Sequence, residues 1–302
     1  MQKRAVWHLD GRELHVTNLD KHFWPNEAIT KGELLRYYRQ LAATILPYLR
    51  DRPLVMRVWP DGITGRHFYR WRLPPYAPSW IERYRYQPQS TSRPAEMAVI
   101  NDAATLIWVV NQGVIELHPW LTTRQQPRQP RWLCFDLDPA AEMSFEQLLQ
   151  VASRIGENLQ ALGLQSFPKT SGGDGLHIIV PLTPEYTFEQ VRAWLEVFIT
   201  LFERRHPGMI TSDKRLAARG GRVLIDYAQN AVGKSLVAPY SVRARPGAPV
   251  STPLSWAEVD GGQVRPADFT LRSLPDRLQR LGDLFADTLR CQQQLPNLAK
   301  EG

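Results

Sequence analysis

Apolar and polar positions recur with two periods along this chain, and the places where the period changes divide it into elements. Near the start, Ala5–Leu9 and Glu13–Thr17 alternate with a period of two around Asp10-Gly11, which predicts a β-hairpin. Thr30 and Glu33 make a capping box, so a helix should run from there to about Tyr48. A strand is expected at Leu54–Val58. The stretch Trp59–Ser92 mixes aromatics, arginines and prolines without a period and reads as a long surface loop, usually a functional one. Asp102 can cap a short apolar helix through Gln112, and a strand should follow at Val114–His118. The polar, Pro-interrupted run TTRQQPRQPR, Thr122–Arg131, is the best internal boundary.

Beyond that boundary the pattern is more orderly. A strand is predicted at Trp132–Asp136, then a helix from Ser144 to about Leu162. A strand near Gln165–Lys169, a Gly-rich turn and a strand at Leu176–Val180 follow. Next come a helix from Thr187 to about Arg205 and a strand at Arg222–Asp226. Two further capping boxes, Ser144 with Gln147 and Thr187 with Gln190, mark the helix starts. The order is β-α-β-β-α-β, the split unit of ferredoxin-like sheets. It puts the first and third strands side by side at the centre and the fourth beside the first. From Ser255 on, the chain looks helical and amphipathic around Leu271–Leu284, as a lid or brace. The expected class is α/β (α+β). The expected subdivision is an N-terminal α/β subdomain (1–121), a catalytic β-α-β-β-α-β subdomain (131–243) and a helical C-terminal brace (255–302).

With 302 residues, 43% hydrophobic and 22% charged, the chain can build a sizeable core. A net charge of +7 makes an anionic partner plausible. Thirty of the 37 basic residues are arginine, which suits phosphate but also follows from a GC-rich genome. The two cysteines, Cys134 and Cys291, lack metal-ligand spacing, which argues for a reducing compartment and against zinc. No signal-peptide pattern and no spanning segment is visible, so the expected location is cytoplasmic, with no membrane partner.

The strongest local chemistry is Phe135-Asp136-Leu137-Asp138-Pro139. On a strand, alternation puts the two carboxylates on the face opposite Phe135 and Leu137. In a ferredoxin-like sheet that is the face the helices leave open. Two such acids repel unless a divalent cation neutralises them, and Mg²⁺ or Mn²⁺ suits oxygen ligands. Alone, the pair also fits two solvated acids at a strand end. Asp226 interrupts the apolar run Val223-Leu-Ile-Asp-Tyr on the strand predicted to lie beside Asp136. Three converging carboxylates are what a two-metal phosphoryl-transfer site needs, with ions about 3.5–4 Å apart.

Lys169-Thr-Ser-Gly-Gly-Asp-Gly-Leu-His177 joins two strands, so it is not a Walker loop. Its glycines would allow an anion nest, with Ser171, His177 and Lys169 near a phosphate; a plain Gly-rich turn is the alternative. Gln229 and Asn230, with Lys234 and Arg243 downstream, fit either a triphosphate site or a solvated loop. His118, at the end of an apolar strand, reads by itself as a structural histidine. Phe68, Tyr69 and Trp71 interleave with Arg66, Arg70 and Arg72, a mixture suited to base stacking and phosphate attraction, or to packed aromatics with snorkelling arginines.

Taken together, FDLDP, KTSGGDGLH and LIDYAQN resemble the three motifs of the archaeo-eukaryotic primase superfamily. More closely, the chain resembles the polymerase domain of bacterial ligase D, the non-homologous end-joining enzyme. The likeness runs nearly end to end. It includes Asn18-Leu-Asp-Lys-His-Phe-Trp-Pro, Thr30-Lys31, Asn111-Gln-Gly, Glu116-Leu-His-Pro-Trp and Val242-Arg-Ala-Arg-Pro. The resemblance implies a single primase-polymerase domain over 1–302, of primase-type fold, with a ferredoxin/RRM-like catalytic subdomain packed on a second α/β subdomain. It implies Asp136, Asp138 and Asp226 as catalytic ligands of two Mn²⁺ or Mg²⁺ ions. It implies Ser171, His177, Gln229 and Arg243 as contacts of the incoming nucleoside triphosphate, and His118 near its sugar. Lys21 and Lys31 match residues that bind a 5′-phosphate at a DNA break, and Phe68 and Tyr69 match an aromatic pair that packs on DNA. Asp174 stands where some relatives carry a basic residue, so that contact is not carried over.

The implied activity is primer-extending nucleotidyl transfer to DNA 3′ ends, ribonucleotides and Mn²⁺ preferred, with terminal transfer beside it. The implied partners are gapped or 5′-phosphorylated DNA ends, a ligase domain of the same enzyme and the Ku end-binding protein, at the nucleoid during repair. Other readings are a stand-alone primase, a Mn²⁺-dependent glycosyltransferase using the DxD motif, and a non-catalytic DNA-end-binding scaffold. A phosphatase with Asp136 as nucleophile is disfavoured by Ala140, where a Thr or Val is usual.

Overall fold

The computed structural model describes residues 3–87, 94–215 and 219–298. The chain forms two compact units. The first comprises Met1–Gln125, Ser235–Ser251 and Phe269–Gly282; the second comprises Gln126–Lys234, Thr252–Asp268 and Asp283–Gly302. The division near Gln125 falls inside the polar run, but the chain returns to the first unit twice. Helix Trp256–Gly261 therefore belongs to the second unit and helix Leu274–Leu281 to the first.

In the first unit, β1 (Ala5–Leu9) and β2 (Arg12–Val16) form the expected hairpin, with Asp10 and Gly11 both at positive φ in the turn. Strands β3 (His22–Trp24) and β4 (Ile29–Thr30) make a second short pair. The expected single helix from Thr30 is two helices, α1 (Lys31–Gln40) and α2 (Ala42–Leu49), parted at Leu41. Pro47, inside α2, has no N–H to donate and weakens that second segment. The main sheet is β5 (Pro53–Val58), β6 (Phe68–Arg70), β7 (Arg83–Tyr86), β8 (Ala95–Val99) and β9 (Val114–Pro119), with helix α3 (Ala103–Asn111) before β9.

The structure departs from the pattern-based expectation at two places in this unit. The expected loop Trp59–Ser92 contains β6 and β7, although its residues 88–92 lie outside those described. These strands carry exposed or half-buried side chains on both faces, so no period-two pattern betrays them. Strand β8 was not anticipated.

The second unit is built on β10 (Trp132–Asp138), β11 (Phe167–Thr170), β12 (Leu176–Pro181), β13 (Ile210–Thr211) and β14 (Val223–Ile225). Their order is β11-β12-β10-β14-β13. The expected centre, β12 beside β10 with β14 flanking it, is present, and β13 adds an edge parallel to β14. Helices α4 (Phe145–Ala161) and α5 (Phe188–Arg205) begin at the capping boxes Ser144/Gln147 and Thr187/Gln190. Leu148, Leu149, Ala152, Ile155 and Leu159 of α4 form its buried stripe. Phe198 of α5 meets Phe135 of β10 edge-on, with ring centroids 5.1 Å apart. The odd residues of β10 thus serve the core, and Asp136 and Asp138 are its only half-buried positions. Among the described residues no helix is long and apolar enough to cross a membrane.

Candidate active site

Sheet register does most of the assembly in the second unit. Lys169 on β11 stands opposite His177 on β12, and His177 stands opposite Asp136 on β10. Lys169 Nζ lies 2.8 Å from His177 Nδ1, and His177 Nε2 lies 3.1 Å from Asp136 Oδ1. A lysine ammonium only donates, so His177 accepts at Nδ1 and carries its proton on Nε2, aimed at the carboxylate. The row continues one strand further: Asp226 N donates to Asp136 O at 3.0 Å, just past β14. Asp226 also caps the short 3₁₀ turn Tyr227–Gln229, its carboxylate accepting from Ala228 N at 3.0 Å. Lys214 Nζ lies 2.7 Å from Asp226 Oδ1.

Asp138 sits two residues beyond Asp136 on the same strand face. Burial and the charge of Asp136 hold its carboxyl up to about 6, with Asp226 adding to the shift and Arg219 and Lys214 opposing it. Burial and Asp136 likewise push the Cys134 thiol up. These shifts describe a cluster short of positive charge. Among the described residues, no three His, Cys, Asp or Glu side chains stand close enough as arranged to hold a metal ion. His177 and Lys214 engage two of the three acids instead. The donor set, all carboxylate oxygen, is nonetheless the kind that Mg²⁺ or Mn²⁺ takes.

The Gly-rich turn is closed on itself. Ser171 Oγ accepts from Gly173 N at 3.1 Å and Gly175 N at 3.2 Å, and Ser171 N donates to Gly175 O at 2.9 Å. The N–H groups of Gly173 and Gly175 thus point at Ser171 rather than into an open anion nest, which corrects that expectation. Gly175 is required for a different reason: a Cβ there would lie 2.7 Å from Leu137 O. Asn230 is also structural. It is fully buried and clamps Cys134 like a strand partner, its Oδ1 2.9 Å from Cys134 N and its Nδ2 2.8 Å from Cys134 O. Lys169 is fully buried beneath His177, so its reach is to the imidazole rather than to solvent. Gln229 lies in the 3₁₀ turn, and Lys234 is exposed.

In the first unit, the residues of interest gather around one acid. Glu116 and His118 share a face of β9, and Arg57 on β5 stands directly opposite Glu116. The buried Glu116 carboxylate meets Arg57 Nη1 at 3.0 Å and His118 Nε2 at 2.9 Å through Oε2. Its Oε1 meets Arg243 Nε and Ala244 N, each at 3.1 Å. Arg243 is delivered by the returning segment, anchored on β9 through Ala238 N to Leu117 O at 2.9 Å and Leu117 N to Ser241 Oγ at 3.0 Å. The bonds from His118 and the charges of Arg243 and Arg57 hold the Glu116 carboxyl far below the usual range despite its burial. Burial lowers His118 below the ordinary histidine value.

Residues 30–285 match the family model described as the primase-polymerase domain of LigD. The chain belongs to the LigD primase-polymerase family. Among its relatives is the bifunctional non-homologous end joining protein LigD of Bacillus subtilis, 30% identical over 286 residues, which cover 94% of this chain and 45% of that protein. The multifunctional LigD of Mycolicibacterium smegmatis is 31% identical over 94% of this chain and 37% of its own length. The chain thus spans less than half of these LigD proteins. The polymerase domain of Mycobacterium tuberculosis ligase D, solved in complex with DNA, superposes with a TM-score of 0.85 at 28% identity. That match covers 93% of this chain and 99% of the other, and it gives this LigD-family chain the primase-type fold.

The remaining expected residues lie in the first unit. Lys31, at the start of α1, is buried; its Nζ donates to Asn111 Oδ1 at 2.8 Å. Burial and the neighbouring Lys21 charge lower its ammonium to about 8. Lys21 Nζ donates to Pro60 O at 2.9 Å and pairs with Asp61. Phe68 and Tyr69 stand exposed on β6, and the Arg57 guanidinium lies 4.8 Å from the centroid of Tyr69 and equally far from that of Trp59. Sequence reasoning missed Glu116 and Arg57. The signal was present: Glu116 and His118 are two polar residues at period two in an otherwise apolar strand. Lys214, in irregular chain, and Arg219 carried none.

Proposed function

We propose that this chain is a nucleotidyltransferase that adds nucleotides, ribonucleotides in preference, to DNA 3′ ends during non-homologous end joining, both filling gaps and extending ends. The observation that carries the reading is the placement of Asp136 and Asp138 on β10 and of Asp226 just past the neighbouring β14 in a LigD-family primase-type sheet, with the Asp138 carboxyl raised by burial and then by Asp136 and Asp226.

Asp136, Asp138 and Asp226 would hold divalent cations, Mn²⁺ or Mg²⁺, once Lys214 and His177 give up their carboxylate contacts. Bound there, the ions would lower the pKa of the attacking 3′-hydroxyl and stabilise the leaving pyrophosphate. The chain's own residues do the rest. The buried Lys169 fixes the tautomer of His177, which then donates from Nε2 to Asp136 or to a phosphate oxygen. Ser171 keeps its turn shut so that this row stays in register. Gln229 and Arg243 are assigned to the triphosphate and His118 to the sugar. Lys21 and Lys31 are assigned to a 5′-phosphate, and Phe68 and Tyr69 to the adjoining DNA. The end-joining role of the LigD relatives and the DNA-bound polymerase domain of the Mycobacterium tuberculosis enzyme support this reading. A ligase domain on the same polypeptide and the Ku protein are the proposed partners.

Primer extension on a gapped, 5′-phosphorylated duplex with Mn²⁺ tests this, offering ribo- and deoxyribonucleotides separately. Extension that favours ribonucleotides is the expected result. Synthesis without any primer would point to a primase, and DNA binding without extension to a scaffold.

A further inference from the structure

The family likeness assigns His118 and Arg243 but says nothing of the acid between them. Glu116 is 2% exposed, and both its oxygens are used: Oε2 by Arg57 and His118, Oε1 by Arg243 and Ala244 N. The arrangement is built by backbone register. Arg57 is the cross-strand partner of Glu116, His118 is two residues along the same strand face, and Arg243 arrives on a segment bonded to the far edge of β9. A carboxylate so buried is costly unless fully paired, and here three side chains and a backbone amide pair it.

The consequence falls on His118. A carboxylate only accepts, so the 2.9 Å contact places a proton on Nε2. Burial, the largest influence, and the two nearby guanidiniums act against a second proton on the ring and together outweigh the pull of Glu116 toward it. Nδ1 is then a bare lone pair, and no hydrogen bond reaches it among the described residues.

We propose that Glu116 is a positioning residue: it locks His118 as the Nε2–H imidazole, so that His118 offers its ligand an acceptor at Nδ1 and selects a sugar hydroxyl over a hydrogen there. The selection half rests on the nucleotidyltransferase reading above; the tautomer half does not. A site that accepts a hydrogen bond from a substrate hydroxyl discriminates against the analogue lacking it, because its own polar atom is left unmet. The same carboxylate orients the Arg57 and Arg243 guanidiniums, which without it would repel each other.

The first test is ¹⁵N NMR of the imidazoles in the whole chain, with His118→Asn to assign the signal. The expected spectrum near neutral pH shows Nε2 protonated and Nδ1 bare; an Nδ1–H tautomer or an imidazolium would overturn the proposal. ATP should then shift the Nδ1 resonance more than deoxy-ATP does, and equal shifts would remove the selection. The second test is kinetic. Glu116→Gln should lower the ribonucleotide-over-deoxyribonucleotide preference about tenfold, the size expected for one misdirected hydrogen bond, chiefly through KM for the ribonucleotide. In a His118→Ala background the same substitution should leave the preference unchanged, since His118 transmits the effect. An unchanged ratio in the single variant, or a further fall in the double, would sink the assignment. Should Glu116→Gln fail to fold, the wild-type spectrum and nucleotide shifts still decide. If the wild type extends no primer, the functional reading fails, and the tautomer is judged by NMR alone.

Discussion

Two carboxylates in this molecule, one buried and one half-buried, are shifted in opposite directions. Glu116, in the first unit, is held far below the usual carboxylate range, while Asp138, in the second, is held up to about 6. Burial raises both. The difference is the company: Glu116 pairs directly with two guanidiniums and a histidine N–H, whereas Asp138 feels the charges of Asp136 and Asp226, which Arg219 and Lys214 offset only in part. The first is a finished device whose charges are settled when the chain folds. The second is left in debt to a cation the chain does not fully supply. Lys31 mirrors it with the sign reversed, a buried ammonium whose hydrogen-bond partners, Asn111 and Thr17, are neutral. Settled charge positions groups, and unsettled charge waits for a ligand.

The largest effect should come from emptying the acid cluster. Asp136→Ala/Asp138→Ala should lower primer extension by about a thousandfold or more, as removal of charge stabilisation at a transferring phosphoryl group does. A folded double variant that still extends primers would end the comparison.

Next in size is the cation itself. Mn²⁺ at about a hundred times its Kd should stabilise the protein by about 2.7 kcal/mol, read as a rise in Tm. The pH dependence has a definite sign. The folded value of Asp138 lies above the unfolded 3.8, so folding takes up a proton between there and about 6. The metal-free protein should therefore lose stability as pH rises through that window. Mn²⁺ should help more at pH 7.5 than at pH 5, and Asp138→Asn should raise the metal-free Tm while erasing most of the response. A response of equal size at both pH values would count against the cluster as the binding site.

Gly175→Ala should cost about 1–3 kcal/mol, because its Cβ meets a β10 carbonyl that cannot retreat without moving the sheet. Thermal unfolding would show it; an unchanged Tm would mean that the turn yields. The smallest effect concerns Lys31. Preference for a 5′-phosphorylated recessed end should weaken by up to about tenfold between pH 7 and 9, as the ammonium near 8 deprotonates. Lys31→Met should flatten that profile, and a profile unchanged by the substitution would free Lys31 of the role.

Much of this is legible in the sequence itself. The three anticipated capping boxes, the hairpin turn and the order of the ferredoxin-like sheet rest on local chemistry, and all are present. Strands β6 and β7 were hidden because a half-exposed strand of aromatics and arginines has no dry face for a pattern to report. The acids announced themselves as charge breaking an apolar period. Lys169 did not announce its burial, nor Asn230 its clamp, because only the finished register decides what covers a polar side chain. Glu116 lay between these cases, its pattern visible and its partners, Arg57 and Arg243, far away in sequence.

The row Lys169–His177–Asp136 takes one residue from each of three strands at the same level of the sheet. It therefore sets a rule for which insertions and deletions the chain can survive. One residue added within β12 would bring Leu176 or Ile178 to that level and turn His177 into the core, so a single slip removes the imidazole and buries a polar ring together. Residues added at the exposed tip, beside Asp174, would leave the pairing on either side untouched. Variation in length should thus be confined to the tip of this turn, and a library of insertions scanned across 165–181 would map the boundary.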